Sequence, residues 1–116
     1  MLHKGERSVG ILALVDSGAD DCIFPASIAS SLGIEIPNER AYEFSGAAPG
    51  NQMAYFETVS IGLIDWETRE EVRRFELYCG FSSALEQTGL GLLGQEGFFS
   101  RFRVTIDRAG GYFEIE

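Results

Sequence analysis

Histidine occurs once and cysteine twice in these 116 residues. His3, Cys22 and Cys79 stand far apart, with no C-x-x-C pair and no partner set for a structural zinc. Two such cysteines read as reduced thiols in a reducing compartment, not as a disulfide framework. Long apolar runs are missing too. None approaches the roughly 18 residues a membrane-spanning helix needs, so no membrane partner is expected. The start, Met1-Leu2-His3-Lys4-Gly5-Glu6-Arg7, has no apolar run after its charges. It reads as lacking a signal peptide, and a cytoplasmic location is expected. The last shortage is positive charge. Lys and Arg number 9 against 18 Asp and Glu, a net charge of -9. A phosphate backbone would be repelled, so no nucleic-acid partner is expected.

What is abundant points to short strands. Glycine reaches 14 and phenylalanine 9, while proline is only 3. Hydrophobic residues make up 45% and charged residues 23%, an ordinary globular balance for one domain over 1–116. Val9 to Val15 is a nearly continuous apolar run, short enough for a buried strand. Cys22 to Phe24 is a further short strand, and Pro25 opens a helix over Ala26 to Leu32 that Gly33 stops. Arg40 to Phe44 and Met53 to Ile64 form a hairpin with a small-residue tip, Ser45 to Asn51. Val72 to Cys79 is another strand, Phe81 to Thr88 a loop, and Gln95 to Phe102 a second short helix. Arg103 to Asp107 and Tyr112 to Ile115 make a terminal hairpin. The expected class is all-β, one domain with one or two short helices.

Two segments invite chemistry. Gly89 to Gly94 fits G-x-G-x-x-G, but no strand precedes it and too little sequence follows for a further βα unit. Close backbone packing accounts for these glycines better. Asp16, Asp20 and Asp21 miss the calcium-loop pattern, so no metal and no cofactor is expected. A bare Asp16-Ser17-Gly18 is usually no more than a tight turn. Here it directly follows a buried apolar strand, where an ionised carboxylate is expensive and needs a partner or a purpose.

Ala13-Leu14-Val15-Asp16-Ser17-Gly18-Ala19-Asp20-Asp21 resembles the active-site loop of the retropepsins, the retroviral-type aspartic proteases. Gly91-Leu92-Leu93-Gly94 resembles their later apolar-apolar-Gly segment, and the two stand in the family's order with a hairpin between them. The ending, Val104 to Ile115, is closer to the cellular and prokaryotic members than to the viral ones. The resemblance implies a single-lobe, pepsin-like β-barrel. It also implies an aspartic endopeptidase acting on a peptide or protein substrate. Asp16 would be catalytic, with Ser17 and Gly18 holding its loop. Ala19, Asp20 and Asp21 would contact substrate, together with Gly46, Ala47, Ala48 and Gly50 of a flap running from Tyr42 to Phe56. Such proteases place a water between two carboxylates, and this chain has one D-[ST]-G. A homodimer is therefore implied, with Asp16 from each subunit at the axis.

One position departs from the family. The second apolar-apolar-Gly is followed in viral enzymes by an Arg that pairs with the acid four residues after the catalytic Asp. Here those positions hold Gln95 and Asp20. A charged pair becomes at best a hydrogen bond between an amide and an ion, with Arg101 or Arg103 as substitute partners. The competing expectation is a module of the same fold used for dimerisation or peptide binding with little catalysis. A third is an unrelated β-barrel.

Overall fold

A computed structural model describes residues 1–36, 42–45 and 51–116. Its strands are β1 (Leu2–Lys4), β2 (Arg7–Val9), β3 (Ala13–Val15), β4 (Ile23–Pro25), β5 (Tyr42–Ser45), β6 (Asn51–Ile64), β7 (Glu71–Ser82), β8 (Gly91–Leu93), β9 (Val104–Asp107) and β10 (Tyr112–Ile115). Among the described residues, the helix α1 (Ala26–Ser31) follows β4, and a 3-10 turn covers Ser83–Leu85. Strand accounts for 48% of the chain, so the class is all-β. The main sheet runs β2-β1-β6-β7-β4-β8-β3, with β5 paired to β6, and it curls into a half-barrel. β9 and β10 form a separate two-stranded sheet.

The apolar run Val9 to Val15 is not one strand. Its start ends β2 and its finish is β3, which lie at opposite ends of the sheet. Gly10 to Leu12 carries the chain across, and the Leu12 carbonyl accepts a hydrogen bond from Gly91 N–H. The run is not buried as expected either: Val9, Ile11, Ala13 and Val15 are half-buried on one side, while Leu12 and Leu14 are exposed, because β3 is an edge strand with one face open. The helix is close to expectation. Pro25 is its N-cap, Leu32 its C-cap, and Gly33 follows with φ +77°. Its N-terminus has no side-chain cap of its own. The Glu86 carboxylate supplies one from a distance, accepting Ser27 N–H at 2.6 Å.

The segment Gln95 to Phe102 forms turns, not the expected helix. Gly97 sits at φ +108°, outside helical geometry, and a Cβ there would strike the Leu77 side chain. The apolar placement nevertheless holds. Phe98 is buried and its ring packs against Phe99 and Phe102, and Phe102 meets Phe75 edge-on at 5.2 Å. Phe98, Phe24 and Phe81 are the largest fully buried side chains, each worth about 1.5–3 kcal/mol of apolar burial. Cys22 and Cys79 are buried in the same cluster, and burial pushes both thiols above the usual range, which leaves them inert.

The feature that organises the site is β8. It lies between β3, to which it is parallel, and β4, to which it is antiparallel. The segment from β3 to β4 thus loops around the end of β8. Two glycines allow this. A Cβ on Gly91 would press into the Phe24 ring, and a Cβ on Gly94 would collide with the backbone carbonyls of Ala19 and Asp21. The second clash is against backbone and has nowhere to relax. Gly94→Ala is expected to destabilise the fold by about 1–3 kcal/mol, read as a lower denaturant midpoint. An unchanged midpoint would contradict this packing.

Candidate functional site

β3 does not simply stop at Val15. The N–H of Asp16 donates to the Leu93 carbonyl at 3.0 Å, which adds one rung to the pairing with β8. The chain then turns on itself. Asp16 Oδ1 accepts Gly18 N–H at 2.9 Å, and the Asp16 carbonyl accepts Ala19 N–H at 3.1 Å. This is the tight Asx turn that a bare Asp-Ser-Gly favours. A Cβ on Gly18 would stand 3.2 Å from Asp16 Oδ1, so glycine keeps the carboxylate uncrowded. Asp16 is half-buried, while Ser17 and Gly18 are exposed. Among the described residues, neither Asp16 Oδ2 nor the Ser17 hydroxyl has a hydrogen-bond partner.

The far side of the loop is stitched to the segment after β8. Gln95 N–H donates to the Ala19 carbonyl at 2.9 Å and Glu96 N–H to the Asp20 carbonyl at 2.8 Å. Asp21 forms an isolated parallel bridge with Glu96. Ala19 is buried, Asp20 exposed and Asp21 half-buried. Asp16, Ser17, Gly18, Ala19, Asp20 and Asp21 therefore form one hydrogen-bonded loop around the end of β8. Gly46, Ala47, Ala48 and Gly50, expected at the flap tip, lie outside the described residues. The hairpin that carries them is present as β5 paired with β6, with Ser45 opposite Asn51.

Gln95 corrects the expected contact with Asp20. Its Nε2 donates to the Ser17 carbonyl at 2.7 Å, so it braces the turn that carries Asp16. A neutral amide suits a carbonyl acceptor, which needs no charge. Arg101 and Arg103 do not replace the missing ion pair. Arg101 donates to the Glu76 carbonyl at 3.0 Å and lies over the Phe75 ring, and Arg103 pairs with Glu116. Asp20 has no ion pair among the described residues. A second missed role belongs to Cys22. Its Sγ accepts Gly94 N–H and donates to the Glu96 carbonyl, both at 3.4 Å, which ties the end of β8 from below. Nothing in the spacing of two cysteines announces this; it arises where β4 passes under the loop.

A depression of about 420 Å³ opens beside the loop, bordered by Asp21, Phe56, Tyr78, Glu96 and Arg101. Among the described residues, no three His, Cys, Asp or Glu side chains are grouped to hold a metal ion. No helix among them is long and apolar enough to cross a membrane.

The Asp21 carboxyl titrates above its usual 3.8, first because burial penalises its charge, then because Asp20 and Glu96 repel it. The folded chain holds this proton to higher pH than the unfolded chain does. Stability contributed here is greatest at the acid end and falls as pH rises through the raised value. Asp21→Asn removes that loss. Thermal melts across the acid-to-neutral range should show the midpoint of the variant gaining on that of the parent as pH rises, and lying no lower at neutral pH. A parallel shift of both curves would contradict this. Comparison with known proteins leaves the geometry to be read on its own terms: no family model, curated protein or solved structure matches the chain.

Proposed function

We propose that this chain is one subunit of a retropepsin-like aspartic endopeptidase that hydrolyses extended peptides as a homodimer. The observation that carries the reading is the Asp16 turn. An Asp-Ser-Gly leaves the end of a strand, is braced by Leu93 and Gln95, and presents its carboxylate at an open surface. The bracing fixes the carboxylate without using up Oδ2. The unpartnered Ser17 hydroxyl beside it suits a bond to the facing loop of a second subunit.

In the dimer two Asp16 carboxyls would face one another. Two carboxylates held that close would repel, so the pair would share one proton. The ionised member takes a proton from a water held between them. That water's oxygen attacks the peptide carbonyl carbon, and the protonated member gives its proton to the carbonyl oxygen. Collapse of the tetrahedral intermediate returns a proton to the leaving nitrogen. Gly18 lets the loops approach. Ala19, Asp20 and Asp21 would border the substrate, and the hairpin tip at Gly46, Ala47, Ala48 and Gly50 would cover it as an added strand. The position of Gln95 favours a second reading, a peptide-binding or dimerisation module with little catalysis, because Asp20 lacks the ion pair of the viral enzymes.

Asp16→Asn separates them. It is expected to abolish peptide cleavage while circular dichroism and the thermal midpoint stay close to those of the parent. Cleavage retained in the variant would end the protease reading. A parent protein that forms stable dimers yet cleaves no member of a diverse peptide library would favour the module. Charge adds a second test. Each subunit brings -9, so self-repulsion opposes pairing at low salt. Sedimentation should show dimerisation strengthening as salt is added. Weakening with salt would count against it.

A further inference from the structure

An open apolar groove of about 540 Å³ lies along the inner side of β1, β3 and the end of β6. Its walls include Ile11, Ala13, Val15, Ile61, Leu63 and Phe113, and Asp16 is not among them. Its size falls within the range of pockets that take small organic ligands. The walls are apolar, yet the rim is not neutral. Trp66 and Arg69 stand there on the turn between β6 and β7.

That turn is built to hold Arg69 in place. Asp65 Oδ1 accepts the N–H groups of Glu67 and Thr68 at 2.9 and 3.0 Å. Asp65 N–H donates to the Glu70 carbonyl, and Arg69 N–H to the Asp65 carbonyl, both at 2.8 Å. Arg69 itself takes φ +64°, which no other non-glycine among the described residues does. Its guanidinium then lies 4.1 Å from the centre of the Trp66 ring. In a chain with twice as many acids as bases, a carboxylate partner would be easy to supply. Arg69 has none: among the described residues it makes no ion pair and no side-chain hydrogen bond. Among the described residues lining the groove, none is Asp or Glu, and Arg69 is the one charged side chain. Its guanidinium, stacked on Trp66, stands at an apolar groove with its donors unused.

We propose that this groove binds a small amphipathic anion, with its apolar tail along the walls and its headgroup on the Arg69 guanidinium. A carboxylate fits the planar fork of the guanidinium in two-point fashion. The overall charge sharpens the inference. A chain at -9 repels anions and attracts cations in general, so a preference for the anion can come only from the local site.

Trp66 is the sole tryptophan and reports on the rim directly. The experiment titrates the protein at neutral pH with dodecanoate, below its micellar concentration, following Trp66 emission with calorimetry alongside. Dodecanol and dodecyltrimethylammonium serve as tail-matched neutral and cationic probes. Saturable one-to-one binding of dodecanoate is expected, with both other probes weaker. Arg69→Gln keeps the turn and is expected to weaken dodecanoate about tenfold or more, with little effect on dodecanol. Leu63→Gln, on the wall, is expected to weaken both. No saturable binding, equal affinity for dodecanoate and dodecanol, or an unaffected Arg69→Gln variant would each overturn the proposal. So would Trp66 emission that follows protein concentration and ignores dodecanoate, since a second copy would then fill the groove. Peptide cleavage enters none of these readouts, so the proposal stands or falls apart from the protease reading.

Discussion

The close approach of backbone to backbone at Gly94 is the constraint on which the site rests. Two carbonyls, of Ala19 and Asp21, occupy the space a side chain there would need. Because they come so near, Gln95 and Glu96 can donate their N–H groups to Ala19 and Asp20, and Cys22 can reach Gly94 and Glu96. The 19–21 arm is thereby fastened to the end of β8. The Leu93 carbonyl fastens the other arm through Asp16 N–H. The Asp16 turn is held at both ends by backbone hydrogen bonds, and such a turn can present a carboxylate without relying on its own side-chain contacts. Under the proposed reading, such bracing would lower the cost of placing a reacting group.

Much of the fold was legible because it is encoded locally. Pro25 and Gly33 mark the ends of one helix, and both glycine-rich and Asx turns fall where the strands must reverse. Cys22 to Phe24 is buried as its composition requires, whereas Leu12 and Leu14 in the Val9 to Val15 run stay exposed. The parts that sequence left obscure depend on partners distant in the chain. Val9 and Val15 belong to one apolar run, yet the sheet uses them at opposite ends. Gly89 to Gly94 reads as close packing, which holds for Gly91 and Gly94 but not for Gly89, which has open space and turns at φ +66°; the role of Gly91 to Leu93 as a strand between β3 and β4 emerges only with the sheet assembled. Gln95 to Phe102 has helical spacing, and one left-handed glycine with Leu77 against it cancels that preference.

The site divides the same way. Asp16, Ser17 and Gly18 stand out by type and spacing, and the structure gathers them with Ala19, Asp20 and Asp21 into one loop. Gln95 was visible as a departure, but its target was not. Hydrogen bonding to the Ser17 carbonyl requires β8 to end beside the turn, which no spacing rule states. The substitution of an amide for a guanidinium thus moves the brace from the charge at Asp20 to the backbone under Asp16. The turn holds a firmly braced carboxylate with an idle hydroxyl beside it, and under the proposed reading a second copy would complete the site.

Mixing tests that claim most directly. Parent protein is combined with increasing Asp16→Asn variant at fixed total concentration, the subunits are allowed to exchange, and peptide cleavage is measured. If each active unit needs two Asp16 carboxyls, activity per parent subunit falls in proportion to the parent fraction, because mixed dimers are dead. Activity per parent subunit that stays constant at every ratio would show that one chain suffices, and would contradict the account.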